Sequence, residues 1–271
     1  MAEDNNGSKQ TGLVLVGIGP GTVETMTTEA IETAKVADFR RYEAYTALWS
    51  EDELAKLVAA IGPIEKVMRP EVENPEEILG LAKDNLVALL VVGDPLQATT
   101  HIDLQMQAAE QRIDCKIVHG ISITNLVTGA IGLSNYKFGR QTTITYPYNG
   151  WIATSPLEVI AINRAQGLHT LALLDLDPTG AGTGEQKPME PKDAVVSLIA
   201  MAEKLVEEKE NLPNDSVLEQ LKIAAAESIC AEIYSLPVVI CSDMGTPQQS
   251  VVTTDVAGLQ LKKGGRMNCL V

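Results

Sequence analysis

The sequence predicts an α/β fold of two α/β domains, the first a doubly wound, mostly parallel five-stranded sheet and the second a mixed sheet with helices. Three observations carry that expectation. Short apolar runs alternate with helix-like segments through the first 120 residues, the pattern of βαβ units. Several runs stop abruptly at turn residues, most clearly Val87–Val92 before Gly93-Asp94-Pro95, and a run so bounded reads as a strand buried on both faces. The 271 residues exceed what one core of ordinary size takes, so a second domain is expected.

Taken in order, residues 1–11 are polar and read as a disordered tail, with no apolar core for a signal peptide. Leu13–Val16 is the first strand and ends at the Gly17-Ile18-Gly19-Pro20-Gly21 turn. A helix starts near Thr28, with Ala30, Ile31, Ala34 and Ala37 on one face. Phe39–Tyr45 is extended. Ser50 and Glu53 make a capping-box pattern for a helix through Ala60, which Gly62 closes. Ile64–Met68 is the third strand, and Asn74-Pro75-Glu76-Glu77 opens a helix with Pro at its first position. The fourth strand is Val87–Val92, a helix follows Thr100, and the fifth strand is Cys115–Val118. These elements form an N-terminal domain over residues 12–120.

The C-terminal domain, 121–271, begins with a short helix that closes near Gly132. Thr142–Tyr146 is strand-like. Ser155 and Glu158 suggest a capping box, with Pro156 at the first helical position and a stop at Gly167. His169–Leu176 reads as a buried strand, and residues 178–190, rich in Gly and Pro, as a surface loop. Helices are expected over 192–210 and 215–233, and strands over Pro237–Cys241 and Arg266–Val271.

Composition narrows the function. Hydrophobic residues make up 45% of the chain, mean hydropathy is +0.05, and no run approaches the ~20 apolar residues of a membrane span. The formal charge is −15, and no basic run offers a nucleic-acid backbone a patch. Cys115, Cys230, Cys241 and Cys269 are scattered without a CxxC. That argues against a zinc site or disulfide framework and suggests a reducing cytoplasm.

Candidate chemistry clusters at turns. Asp94 would sit at the carboxyl end of a buried parallel strand, where α/β proteins bind ligands; alone, the tripeptide is equally an ordinary strand-to-helix turn. The turn at 17–21 invites a dinucleotide reading, with Glu43 as a ribose acid. Yet position 22 is Thr where the fingerprint wants Gly, and Pro20 removes an amide. His101, His119 and His169 each lie at the end of an element, and no two stand three or four residues apart, so no metal pair is indicated. Nine of the ten aromatics fall in two clusters: Phe39, Tyr42, Tyr45 and Trp49, then Tyr136, Phe138, Tyr146, Tyr148 and Trp151. Each reads as core, subunit interface or substrate-facing rim.

Five stretches in register carry a resemblance. Val91-Val92-Gly93-Asp94-Pro95 with Ala98-Thr99-Thr100-His101, then Val118-His119, Tyr136-Lys137-Phe138-Gly139, and Gly167-Leu168-His169-Thr170 with Leu174-Asp175 resemble the diphthine synthase family in order and spacing. Glu43-Ala44-Tyr45-Thr46 resembles it too, and the turn at 17–21 resembles the wider tetrapyrrole-methylase superfamily. The resemblance runs from about residue 13 to the end and is weakest over 178–235.

It implies S-adenosylmethionine as cofactor, S-adenosylhomocysteine as its product, two α/β domains with the cofactor in the cleft between them, and a homodimer. The implied reaction methylates the amine of a 3-amino-3-carboxypropyl group on a histidine of translation elongation factor 2. Archaeal-type members give the trimethylammonium product, diphthine. Family contacts carried over to matching positions put Gly93, Asp94, Gln97, Ser122, Ile123, Leu174 and Met244 at the cofactor. Two further positions in that set depart from the family's usual residues: Pro20, usually Leu, and Asn268, aligned with a usual His. The short tail that usually follows is absent. A free α-amino group has a pKa near 8, so a base is not obligatory; Asp94 and His101 are the candidates. Three rivals stay open at this point: a tetrapyrrole-precursor methylase, an NAD-dependent oxidoreductase, and a non-catalytic binding module.

Overall fold

Two sheets organise the computed structural model, which describes residues 10–183, 186–208 and 213–271. Each sheet belongs to its own unit, the first running to Ser122 and the second from Ile123. The first unit contains β1 (Gly12–Gly17), α1 (Thr28–Val36), β2 (Phe39–Glu43), α2 (Glu51–Ile61), β3 (Glu65–Val67), α3 (Arg69–Glu73), α4 (Glu76–Ala82), β4 (Leu86–Val91), α5 (His101–Glu110) and β5 (Cys115–Val118). Its strands lie in the order β3-β2-β4-β1-β5, and every pairing is parallel.

The apolar runs are continuous because both faces of this sheet are covered. Val14, Val16, Ala88 and Leu90 pack with Ala30 and Ala34 of α1 and Leu57 of α2. Their alternates, Leu13, Leu15, Val87, Leu89 and Val91, pack with Ile78 and Leu79 of α4 and Leu104 and Ala108 of α5. The helix after β1 therefore lies on one face and the helix after β4 on the other, although β1 and β4 are neighbours. That is a topological switch point, and in open α/β sheets ligands bind outside the carboxyl ends of the strands at such a point.

Local differences from the sequence reading have local causes. Glu53 does not complete the capping box: Ser50 accepts from its amide at 3.3 Å, but its carboxylate takes the Val23 amide at 3.1 Å and the Lys56 ammonium at 2.6 Å. The short α3 lies in a stretch the sequence reading leaves unassigned, with Pro70 in its first turn and the Glu71 side chain accepting from the Met68 amide at 3.1 Å. Pro75 is then the cap of α4 and not its first residue.

The second unit contains α6 (Ile123–Ala130), β6 (Thr142–Ile144), α7 (Ser155–Ala165), β7 (Ala172–Leu174), α8 (Pro191–Glu208), α9 (Val217–Ala231), β8 (Pro237–Ser242), β9 (Ser250–Asp255) and β10 (Asn268–Leu270). Its sheet runs β6-β7-β10-β8-β9, with β6 parallel to β7 and the other pairings antiparallel. Ala172, Leu174, Val238, Ile240 and Leu270 face the core that α7, α8 and α9 share. Leu173, Val239, Cys241, Cys269 and Val271 face the other way, toward Val127 of α6.

The cap of α7 is Thr154, one residue earlier than expected, and its hydroxyl bonds Glu158 at 2.7 Å. β7 has three residues where eight were expected. β9 was not anticipated at all: no residue in it is buried, so hydropathy does not mark it and its order comes from the ladder to β8. The expected end of α8 at 209–210, and residues 1–9 of the expected tail, lie outside the described residues. Among the described residues no helix is long and apolar enough to cross a membrane, and no group of three or more His, Cys, Asp or Glu could hold a metal ion.

Candidate functional site

At the switch point three loops meet backbone to backbone. The amide of Gly19 donates to the Gly93 carbonyl at 3.1 Å, and the amide of Gly93 donates to the Gly19 carbonyl at 2.8 Å. A Cβ on Gly17 would lie 2.5 Å from the Gly120 nitrogen and 2.7 Å from the Gly93 oxygen. One on Gly120 would lie 2.2 Å from that same oxygen. Glycine is required at Gly17 and Gly120 because only a bare Cα lets the chain ends after β1, β4 and β5 approach so closely. The turn at 17–21 thus has a packing role. Its Gly19 amide is spent on Gly93, Pro20 has none, and the Gly19 carbonyl accepts from the Trp49 indole at 3.2 Å. Pro20 itself is half-buried.

Asp94 organises the loop after β4. It is 6% exposed. Oδ1 accepts from the Leu96 amide at 2.9 Å, and Oδ2 accepts from the Gly120 amide at 3.3 Å and from His119 Nδ1 at 2.8 Å. A carboxylate offers about four acceptor positions, so one remains for a ligand. Gly93, at φ +78°, leaves a notch beside this carboxylate. A Cβ there would touch only Ser122 Cα at 3.9 Å and the Ile121 oxygen at 4.0 Å. Gln97 is exposed on the same loop, and Ser122 is buried at the unit's end. A notch edged by a carbonyl and a fixed carboxylate, at a switch point, suits a ligand that carries hydrogen-bond donors.

The two base candidates fare differently from each other. His101, at the start of α5, is 1% exposed. Its Nδ1 lies 3.2 Å from the Pro95 carbonyl and so carries the proton, while Nε2 is buried without a partner. Burial lowers its pKa below the ordinary imidazole value, against the opposing Pro95 hydrogen bond. Such a ring locks the loop and does not reach a substrate. His119 was not among the base candidates from sequence, yet its side chain is 73% exposed while bonded to Asp94. Its position one residue past β5 carried the signal; the partnership with Asp94, 25 residues away, did not show.

Glu43 is not a ribose acid. It is fully buried at the end of β2, where it takes the amides of Tyr45 at 3.1 Å and Thr46 at 2.8 Å and the Thr46 hydroxyl at 2.6 Å. Burial raises its pKa, outweighing those hydrogen bonds and the nearby Arg69 charge.

The remaining expected contacts lie in the second unit. Ile123 and Met244 pack into one cluster with Val127, Leu171, Cys241 and Cys269, whereas Leu174 belongs to the cluster on the other face of the sheet. Asn268 is 9% exposed. Its Oδ1 accepts from the Ser242 hydroxyl at 2.7 Å and the Gly265 amide at 2.8 Å. Its Nδ2 donates to the Met189 and Gly265 carbonyls at 3.2 and 3.1 Å. All four of its hydrogen-bonding positions are occupied by protein. Of the second aromatic cluster, Tyr136 and Trp151 are exposed, Tyr146 is buried, and Tyr148 stacks on Trp151 with ring centroids 6.4 Å apart.

Comparison with known proteins fits this geometry. The model of the tetrapyrrole (corrin/porphyrin) methylases matches residues 12–260. A diphthine synthase of Methanospirillum hungatei is 37% identical over 166 residues, 60% of this chain and 66% of that protein. One of Methanoregula boonei is 34% identical over 194 residues, 71% of this chain and 75% of that protein. The match to the first therefore spans just under two thirds of its length. A diphthine synthase crystal structure superposes with a TM-score of 0.74 at 27% identity, covering 96% of this chain and 88% of that one. A conserved hypothetical protein from Aeropyrum pernix K1 superposes with a TM-score of 0.78 at 28% identity, covering 97% and 84%.

Proposed function

Because the chain belongs to the tetrapyrrole methylase family, and within it to the diphthine synthases, we propose that it is an S-adenosylmethionine-dependent N-methyltransferase. Its substrate is the amine of the 3-amino-3-carboxypropyl-histidine of translation elongation factor 2, and the reaction yields diphthine in diphthamide biosynthesis. The observation that carries the assignment is the Gly93-Asp94 notch at the switch point between β1 and β4.

The site has limited work to do. When bound, S-adenosylmethionine supplies an activated methyl group on a sulfonium, so the cofactor carries the hard chemistry. The protein must hold and align the reactants. Gly93 leaves the space for the cofactor, and Asp94, pinned by the Leu96 and Gly120 amides, offers its remaining acceptor position. Gln97 and Ser122 border the same loop. Ile123, Leu174, Met244, Pro20 and Asn268 match family contact positions. For Asn268 we assign the role of shaping the loop at Gly265, since its amide is already satisfied. The absence of a usable amide row at 17–21 disfavours a nicotinamide cofactor. A homodimer working in the cytoplasm completes the reading.

Calorimetry tests it. S-adenosylhomocysteine should bind and NADH should not, and binding of NADH alone would sink the assignment. Sedimentation should give twice the chain mass; a monomer would remove the dimer.

A further inference from the structure

Resting on that reading, we infer that His119 is the general base that removes a proton from the substrate amine, with Asp94 as the residue that positions it. Among the described residues, His119 is the histidine whose ring is both open to solvent and held by a carboxylate. The side chain is 73% exposed and that of Asp94 8%. Asp94 does not swing: its two oxygens are fixed by the Leu96 amide at 2.9 Å and the Gly120 amide at 3.3 Å. His119 is equally constrained along the chain, between Val118, the buried last residue of β5, and Gly120, where the backbones of Gly93 and Gly17 leave no room for a Cβ.

The contact dictates the tautomer. An ionised carboxylate accepts only, so the 2.8 Å bond to Asp94 Oδ2 places the proton of the neutral ring on Nδ1. The lone pair is then on Nε2, the nitrogen that Asp94 does not hold, on a side chain that is largely open to solvent. A carboxylate that orients an imidazole so that its far nitrogen can take a proton is the logic of an orienting dyad. The rivals are poorly placed. His101 is 1% exposed with its Nδ1 on the Pro95 carbonyl, and the ring of His169, in the second unit, rests on Phe138 with centroids 5.7 Å apart.

The step balances simply. One N–H bond of the substrate ammonium breaks, its electron pair stays on the substrate nitrogen, and an N–H bond forms on His119 Nε2. The imidazolium, facing Asp94, then passes that proton to solvent. The first and second methylations each leave an ammonium whose N–H proton must be lost before the next transfer, and the third gives a trimethylammonium with none to lose. A base exposed to water can reset between rounds, which a buried one cannot do as readily.

The test separates base from scaffold. His119→Asn keeps a nitrogen donor for Asp94 and removes Nε2. At pH 7 it should lower the rate of methyl transfer about 100-fold, within the usual range for losing a general base, while S-adenosylhomocysteine affinity, read by calorimetry, stays unchanged. The deficit should shrink as pH rises past the pKa of the substrate amine, and imidazole should restore activity to His119→Ala. Independently of activity, nitrogen-15 spectra should show the neutral ring protonated at Nδ1, and Asp94→Asn should abolish that preference. A His119→Asn rate equal to the unaltered chain at pH 7, or a neutral ring protonated at Nε2, overturns the inference. So does a loss of S-adenosylhomocysteine affinity in His119→Ala without rescue by imidazole, which makes His119 a loop support. If the unaltered chain transfers no methyl group at all, the proposed function fails first and this inference with it.

Discussion

Asp94 after β4 and Asp175 after β7 use one device for different ends. Each stands just past a strand and gathers loop groups onto its carboxylate. Asp175 collects the amides of Leu176 at 2.8 Å, Asp177 at 3.2 Å and Tyr146 at 3.1 Å, and the Tyr148 hydroxyl. Tyr148 in turn stacks on Trp151 across the Asn149-Gly150 turn, where both residues have positive φ. The group held there is a phenol, and the result is a rigid hairpin. Asp94 collects two amides and an imidazole. The group held there is an imidazole, which has a second ring nitrogen able to take a proton, at the switch point where helices diverge to opposite faces of the parallel sheet. The carboxylate does similar work in both loops; the partner and the topology decide which loop can be a reaction site.

The comparison can be broken at its glycines first. Gly120→Ala should cost about 3 kcal/mol, at the upper end for overpacking, because its Cβ meets backbone at 2.2 Å. In the other loop, Gly180→Ala should cost about 1–2 kcal/mol for a left-handed residue, its Cβ meeting only the Tyr148 ring at 3.1 Å. Urea unfolding of the two variants gives the order; equal losses would contradict the convergence of three backbones at Gly120.

The carboxylates come next. Asp94→Ala should weaken S-adenosylhomocysteine binding tenfold or more, about 1.4 kcal/mol, whereas Asp175→Ala should lower only the stability, by roughly 1–3 kcal/mol for the buried donors it strands. Matching affinity losses in calorimetry would erase the distinction drawn between the loops.

Glu43 sharpens the comparison with a third strand-end carboxylate, one that burial has pushed to a raised pKa. Its folded pKa lies above its unfolded value of 4.5, so the native state holds the proton more tightly. The stability it contributes is full below 4.5 and is lost as pH rises through the folded pKa. Glu43→Gln should remove that downward slope, which a pH series of unfolding free energies would reveal as a difference from the unaltered chain; parallel curves would refute it. The smallest effect is expected at Gly80, in the exposed interior of α4 with nothing within 4 Å of an added Cβ. Gly80→Ala should stabilise by about 0.5–1 kcal/mol, and a loss would show that glycines away from strand ends are also constrained.

The parallel sheet was legible because a strand buried on both faces must be apolar throughout; Leu13–Val16 and Val87–Val92 say so in their letters. β9 was not, since a ladder on an edge strand with no buried residue needs no hydrophobic code. At the site, Asp94 was visible through its loop, but the use of Gly17 was not: it serves a contact with Gly93 and Gly120 that spacing alone does not encode. His119 was visible as a residue and hidden as a partner of Asp94, because the sheet order that makes β1 the shared neighbour of β4 and β5 is a tertiary fact. The same holds for His101, whose burial separates it from a chemistry its sequence context suggested.

The central claim is methyl transfer to nitrogen, and labelled S-adenosylmethionine tests it most directly. The chain should move label onto elongation factor 2 that carries the 3-amino-3-carboxypropyl-histidine, and onto neither the unmodified factor nor uroporphyrinogen. Label on uroporphyrinogen alone, or on no acceptor, would contradict the account.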